Sequence, residues 1–596
     1  MTQPLRLVLL REIPEDENLR QQWNTLVERV DQPQVFYTYE WSLAVQRAYH
    51  ASLRTLLFLA YDEGDALCGV TALAADVGGS RVSFLCATTG DYCDFLSLPE
   101  HKPAFVESVL TELRKQGFDD LTLTNLPADS STVAALRSAS NQTGFRCFAR
   151  TAYVCAQVSL GKLERRPGEK KPVLPGKKIL RRSLNAMGRE APVRLDHARS
   201  WEQVRPILAE FMQAHVARFL ATGRISNMVQ CERRQFLEEL AKLLSESGWL
   251  VLTRMMSGEK SLAWNYGFLF DGVWFWYQPT FDSDLEKYSP GFCLLAKLIE
   301  ESASDPALTT VDLGLGAEEY KERFANQTRE TLYVTLRSSL ARHAREMLRY
   351  RAGEIIKSSP RLEEATRAAV MWVRGLRENV GRDGLAATFR QQVKHAVAFL
   401  WSEEEIVCFE WVGGVLTASS IAKLEPLALN QLASAASQFA NDKATLAYLL
   451  RSASRSRERS AEGYGFVDAG GSFVGFGWVT AFDGFFLPES KAKADAASAD
   501  CVMIFECVSL VSANSANNER CDPETISGIA GRMREQGKKP WTYGAASNVR
   551  LVQDLQKAGF QARYSLLRRR ILGRQTIKRK EPRFDDALPR EISERV

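Results

Sequence analysis

No stretch of the chain holds an uninterrupted apolar run approaching about 18 residues, so no transmembrane helix is expected. Histidine is scarce at six residues, and neither these nor the cysteines fall at zinc-ligand spacing, so no metal is expected. There is no Walker A sequence and no G-x-S-x-G elbow, which takes the phosphate-cradling loop and the serine elbow out of consideration. Charge of one sign is lacking as well. A net charge of +5 over 596 residues is nearly neutral and implies no partner. The opening segment, MTQPLRLVLLREIPEDE, has only a brief apolar run flanked by acids, unlike a signal peptide. Disulfides are not signalled either. Eleven cysteines, an odd number scattered singly, suggest reduced thiols and a cytoplasmic protein. Cys86, Cys155 and Cys408 lie inside apolar runs, where a packed core thiol is the default.

What is present is ordinary globular material, 45% hydrophobic and 25% charged, long enough for about three to five domains. Residues 1–160 alternate, with helices expected at 32–50, 101–117 and 130–144 and strands at 54–61, 66–75, 81–87, 120–126 and 153–160. That order predicts an α/β (α+β) unit, a mixed sheet flanked by helices. Residues 161–190 form a basic, Pro/Gly-punctuated linker leading into a helix. Residues 191–335 repeat the alternation, with helices near 201–220 and 233–247, which suggests an internal duplication without a residue-level repeat. Residues 336–403 are expected to be a helical connector rich in Arg and Ala. Residues 404–572 return to mixed strands and helices, and 573–596 are a charged tail. The Arg/Lys-rich tail from Arg568 to Lys580 is expected to be a solvated terminus, only weakly suited to touching a membrane surface or nucleic acid.

The most informative block runs from Ser261 to Phe324. Residues 262–270 and 273–277 are rich in β-branched and aromatic side chains, and Asp271-Gly272 between them is a strong hairpin signal. Tyr288-Ser289-Pro290-Gly291 then opens an amphipathic run at 292–300. Ser289 suits an N-cap, Pro290 the first helical position, and Gly291 leaves backbone room for a ligand. Free N–H groups at such a start can cradle a phosphate. A further strand at 309–313 completes the core of an acyl-CoA-binding fold.

This block, with Asp312, Gly316, Glu319, Tyr320, Lys321 and Phe324 after it, resembles the GNAT-like acyltransferases of the CelD/BcsL type, associated with exopolysaccharide and cellulose biosynthesis. Trp41 and the run Gly90-Asp91-Tyr92-Cys93-Asp94 extend the resemblance over roughly residues 1–340. It implies tandem GNAT-like halves at 1–160 and 191–335, as in FemAB-like aminoacyl transferases. The ending of 404–572, an Asn548-led helix closing on Gly559-Phe560, resembles the last third of a GNAT domain and suggests a divergent third unit. In that unit the acids of Asp522 and Glu524 would repel a pyrophosphate, so Asp522 is expected to be a plain N-cap and the unit not to bind CoA.

The resemblance also implies roles. An acyl-CoA donor would meet the strand carrying Trp276 and Tyr277, with its pyrophosphate on the backbone of Ser289, Gly291, Phe292 and Cys293 and on Lys287. Tyr320 is the candidate acid and Lys321 the candidate for polarising the acceptor. The residues alone equally allow a packed Tyr320 and a solvated Lys321. Asp312 is a candidate general base or a strand-end Asp satisfying backbone N–H groups. Asp91, Tyr92 and Asp94 would hold acceptor hydroxyls, the ring stacking on a sugar, or else form a plain Asx turn. His215 and Arg218, one turn apart on a helix, are candidates for the acceptor side, a surface histidine being the alternative. Cys293 is expected to pack rather than attack. An aminoacyl-tRNA donor and a non-catalytic scaffold in a polysaccharide assembly complex stand as alternatives.

Overall fold

The structure is a computed structural model that describes residues 5–77, 79–164, 174–316, 318–357, 401–413, 421–457, 461–468, 470, 472–482, 500–510, 523–571 and 574–581. It divides into two compact units. The first lies within residues 1–358; the second lies within 359–596 and takes in Phe219–Ile225.

The first unit begins β1 (Arg6–Leu10), α1 (Glu17–Arg29), α2 (Tyr39–Tyr49), β2 (Leu53–Tyr61), β3 (Leu67–Asp76), β4 (Arg81–Phe84) and a short β5 (Leu96–Ser97). It continues α3 (Lys102–Lys115), β6 (Asp120–Pro127), α4 (Ser131–Gln142) and β7 (Arg146–Ser159). The same order then recurs. After α5 (Lys177–Met187) come β8 (Val193–Ala198), α6 (Trp201–Ala221), α7 (Cys231–Glu246), β9 (Leu250–Ser257), β10 (Lys260–Phe270) and β11 (Val273–Phe281). The repeat closes with α8 (Pro290–Ser302), β12 (Thr310–Asp312), the single turn α9 (Glu319–Glu322) and β13 (Gln327–Arg337), and α10 (Leu340–Lys357) follows.

Local chemistry accounts for many of these ends. The side chains of Asp16, Thr38 and Ser130 accept backbone N–H bonds at the starts of α1, α2 and α4. Helix 32–50 is shorter than expected. Pro33 disfavours helix in the residue before it, Val35–Tyr37 form a 3-10 turn, and only Tyr39–Tyr49 is α-helical. Asp271 and Gly272 both adopt positive φ, the two-residue turn that suits the twist of a hairpin.

All thirteen strands of this unit form one sheet, in the order β1-β2-β3-β4-β6-β13-β7-β12-β11-β10-β9-β8, with β5 beside β3. The order is a palindrome. From either end four antiparallel strands lead to one parallel pair, β4 with β6 and β11 with β12. Each parallel pair needs a crossover, and α3 and α8 supply them. At the centre the halves trade strands: β13 lies between β6 and β7, and β7 lies between β12 and β13. The fold is thus a mixed α/β sheet in tandem, and the halves are joined within one sheet rather than laid side by side. The expected boundaries at 335 and 403 cut through strands, since β13 runs to Arg337 and the strand that opens the second unit starts at Trp401. Residues 358–400 of the expected connector lie outside the described residues.

A ring cluster fastens the halves on one face. Phe36 and Trp41 from the first half touch Phe268, Phe275 and Tyr277 from the second, with Trp41 fully buried. On the other face Trp274 and Trp276 pack with the apolar side of α8 and with Leu180 and Met187 of α5. Part of the expected linker is therefore core.

The second unit contains β14 (Trp401–Trp411), β15 (Ile421–Pro426), helices Leu429–Gln438 and Lys443–Arg457, and β16 (Glu462–Asp468), β17 (Phe473–Ala481) and β18 (Cys501–Ser509). Helix Pro523–Glu535, β19 (Lys539–Ala545), helix Val549–Lys557, β20 (Phe560–Ile571) and β21 (Arg574–Lys580) complete it. From β15 to β20 this is the order of each half of the first unit, with β18 parallel to β19. β14 lies between β19 and β20, the place that β13 takes between β6 and β7. Asn548 caps its helix by accepting from Leu551 N at 3.1 Å. Asp522 lies outside the described residues.

Candidate active site

β11 and β12 pair only from Val273 with Thr310 to Phe275 with Asp312. From Trp276 onward the β12-facing edge of β11 has no strand partner among the described residues. The start of α8 stands nearby in the chain. Pro290 takes the first helical position, as expected, but Ser289 does not cap. It sits in the left-handed region at φ 50°, and its side chain bonds no helical N–H. The N–H of Cys293 is spent on Ser289 O at 3.1 Å. The expected phosphate cradle therefore shrinks to the backbone of Gly291 and Phe292, with exposed Lys287 beside the Tyr288 ring, 5.0 Å from its centre. The Cys293 thiol is buried and pushed up to about 11 by burial, so it packs and does not attack.

The corresponding places in the first half are filled. Asn125, held at φ 61°, donates to Gly90 O at 2.8 Å and accepts from Cys93 N at 2.9 Å, stitching the loop after β4 onto β6. Lys102, at the start of α3, is buried and bonds Phe95 O. The stitched loop is turned toward the second half instead. Thr89 O accepts from Tyr277 Oη at 2.5 Å, and Tyr92 Oη donates to Asp312 Oδ2 at 2.9 Å.

These contacts revise several expectations. Asp312 is 2% exposed and already holds three donors: Tyr92, Gln157 Nε2 at 2.8 Å and Gly314 N at 2.8 Å. Its oxygens are taken up by these three donors inside the core, which makes Asp312 an anchor between the halves. Tyr92 is fully buried with Arg329 4.8 Å from its ring centre, so it cannot stack on a sugar. Asp94 accepts from Phe95 N and Ser130 Oγ, each at 2.7 Å, and is the structural turn residue rather than an acceptor ligand.

Asp91 is different. It is half-buried, its carboxyl accepts from the backbone of Leu315, and it presses on Gly314. Its pKa is pushed up to about 7, first by burial and then by the neighbouring charge of Asp312, while Lys321 and Arg233 pull the other way. A carboxyl titrating there can exchange a proton at neutral pH. Lys321 is buried, bonded to Leu315 O at 2.9 Å and paired with Glu318 at 2.6 Å. It is neither solvated nor available to an acceptor; it clasps the turn that surrounds Asp91. Tyr320 is half-buried, and Trp276 Nε1 donates to its hydroxyl at 3.4 Å. Burial raises its pKa, which keeps it protonated at neutral pH.

On the opposite face of β11, Tyr277 is buried and accepts from Arg233 Nη2 at 2.8 Å, so its side chain serves the core. Arg233 itself is 4% exposed and was not anticipated from sequence. Arg218 donates to Pro279 O at 2.8 Å and lies over the Phe281 ring. His215 is not a surface residue. It is 3% exposed, 2.9 Å from Ser226 Oγ, and its pKa falls to about 3 through burial and then the charges of Arg218 and Arg233. The unfolded ring takes up a proton below about 6.5 and the folded one does not, so His215 costs stability as pH falls from 6.5 towards 3. His215→Gln is expected to flatten that loss; urea midpoints at neutral pH and at about pH 5 compared with the parent measure it.

No curated protein matches the sequence. Among solved structures, the chain is similar to L-PGS from Bacillus licheniformis at 14% identity, covering 50% of this chain and 92% of that one, with a TM-score of 0.34. FemX is similar at 10% identity over 53% and 95%, with a TM-score of 0.38. A tandem GNAT protein from the clavulanic acid biosynthesis pathway is similar at 12% over 56% and 99%, with a TM-score of 0.33. Residues 176–322, the stretch that holds α5, the open edge of β11, α8 and the Asp312–Lys321 turn, match the acetyltransferase (GNAT) domain.

Proposed function

We propose that the first unit is an acyltransferase with one active site, at the open edge of β11. The donor is acyl-CoA, and the acceptor is a hydroxyl or amine of a sugar or polysaccharide precursor, as the CelD/BcsL resemblance implies. The observation that carries this reading is Asp91 of the other half lying against the Gly314 turn, beside the edge of β11 left unpaired after Phe275, with the open start of α8 following β11 in the chain. The pyrophosphate lies on the N–H groups of Gly291 and Phe292. The thioester oxygen is met by backbone N–H groups of β11, where negative charge develops. Asp91 removes the acceptor proton as the new C–O or C–N bond forms. The C–S bond breaks, and Tyr320, kept protonated, gives its proton to the leaving thiolate.

Titration of acetyl-CoA into the intact protein and into Gly291→Glu by calorimetry tests the donor site. An added Cβ at Gly291 meets only the Phe281 ring at 3.4 Å, so the variant should fold. It puts an anion where the phosphate belongs, and affinity is expected to fall roughly thirtyfold. If acetyl-CoA and longer acyl-CoAs both fail to bind the parent, the reading is lost.

One observation favours a second donor. Lys177, Lys178, Arg181 and Arg182 are exposed on α5, which packs against α8 and the turn Ser283–Tyr288. An aminoacyl-tRNA donor would use that face, and its binding would weaken steeply with salt. If neither donor binds, a scaffold role is what remains.

A further inference from the structure

The last hairpin of the second unit carries charge that its fold does not use. β20 and β21 pair from Ser565 with Lys580 to Ile571 with Arg574, and β21 forms the end of the sheet. The inner arginines are neutralised by β14: Arg563 by Glu410, Arg568 by Glu404 and Arg569 by Glu403. Beyond them Arg570, Arg574, Lys578 and Lys580 are exposed, and no acid among the described residues pairs with them. Two large apolar side chains lie among these cations. Ile571 is 53% exposed and Ile577 is 39% exposed. Within the hairpin, exposed aromatic rings are absent among the described residues, since Tyr564 is buried beneath Arg579.

We propose that this hairpin is a docking surface for an anionic lipid bilayer. Two observations select a bilayer over other polyanions. Cations on both faces of the hairpin at the end of the sheet match the potential of acidic headgroups, which falls off within a Debye length. The isoleucines give the same segment apolar side chains for the boundary between headgroups and acyl chains. Single-stranded nucleic acid would instead be expected to find rings for its bases to stack on. Among the described residues no helix is long and apolar enough to cross a membrane. Docking does not depend on the donor proposed above.

The test is sedimentation of the full chain with vesicles of phosphatidylcholine alone and of phosphatidylcholine with phosphatidylglycerol in equal parts. Binding is expected only to the second kind and is expected to weaken as salt rises. Each of Lys578→Gln and Lys580→Gln, neutral changes on an exposed edge strand, should weaken partition by about fivefold. Ile571→Ser with Ile577→Ser should weaken binding while leaving its salt dependence unchanged. Circular dichroism melts of each variant establish that the hairpin is folded when binding is lost. Absence of binding to the anionic vesicles at low salt overturns the proposal, as does equal binding by the lysine variants. A duplex or transfer RNA that binds through Lys578 and Lys580 while vesicles are ignored assigns the surface to nucleic acid and overturns it equally.

Discussion

Asp91→Asn is expected to lower the rate of acyl transfer about a thousandfold, within the range a positioned general base supplies, and to leave acetyl-CoA affinity unchanged. The asparagine keeps an oxygen for the Leu315 N–H and loses only the proton-accepting charge. The rate of the parent should rise with pH through about 7, where the Asp91 carboxyl ionises, and that limb should vanish in the variant. Stability should move the opposite way. The folded carboxyl titrates near 7 and the unfolded one near 3.8, so between those values the folded state holds the extra proton. Ionised Asp91 therefore destabilises the protein increasingly as pH rises from 3.8 to 7, by at most about 4 kcal/mol. Asp91→Asn removes that cost, so urea denaturation at neutral pH should show a more stable protein that has lost its activity. A variant that loses neither rate nor the pH limb would remove Asp91 from the chemistry.

Gly314→Ala is expected to destabilise the first unit by about 3 kcal/mol and to depress the rate without affecting donor binding. Gly314 has φ 72°, a region that costs a side chain roughly 1 kcal/mol. The rest comes from a collision, since the new Cβ falls 2.5 Å from Asp91 Oδ2. The two parts are separable. In an Asp91→Ala background the obstructing carboxylate is gone, and Gly314→Ala should cost only about 1 kcal/mol of backbone strain. Urea midpoints of the four proteins close the cycle, and strict additivity would show that the glycine is needed for its φ alone.

What was legible in the sequence was local. Asp271-Gly272 announced its hairpin because that turn demands positive φ from two neighbours, and Pro290 announced α8 because few other positions suit a proline. Asp91 and Tyr92 were singled out, yet their roles depend on Gly314, Leu315 and Asp312, which only the folded chain brings to them. His215 has no local sign of burial; its helix was legible, but the loop that brings Ser226 to it was not. β13 was missed because its apolar alternation is broken by Arg329 and Glu330, and nothing near Gln327–Arg337 indicates that its neighbours are β6 and β7. Lys321 looks like any helical lysine until its amine is found tied to Leu315 O.

The strand traded across the centre of the sheet also bears on how the chain is born. Arg337 bonds Asp120 across 217 residues of sequence, and the whole of β13 arrives that late. On the ribosome the first half therefore emerges with a slot between β6 and β7, both rims offering unpaired backbone to any passing strand. The slot closes only when Gln327–Arg337 has been synthesised, so the half that supplies Asp91 waits through the making of nearly all the other before its own sheet is complete.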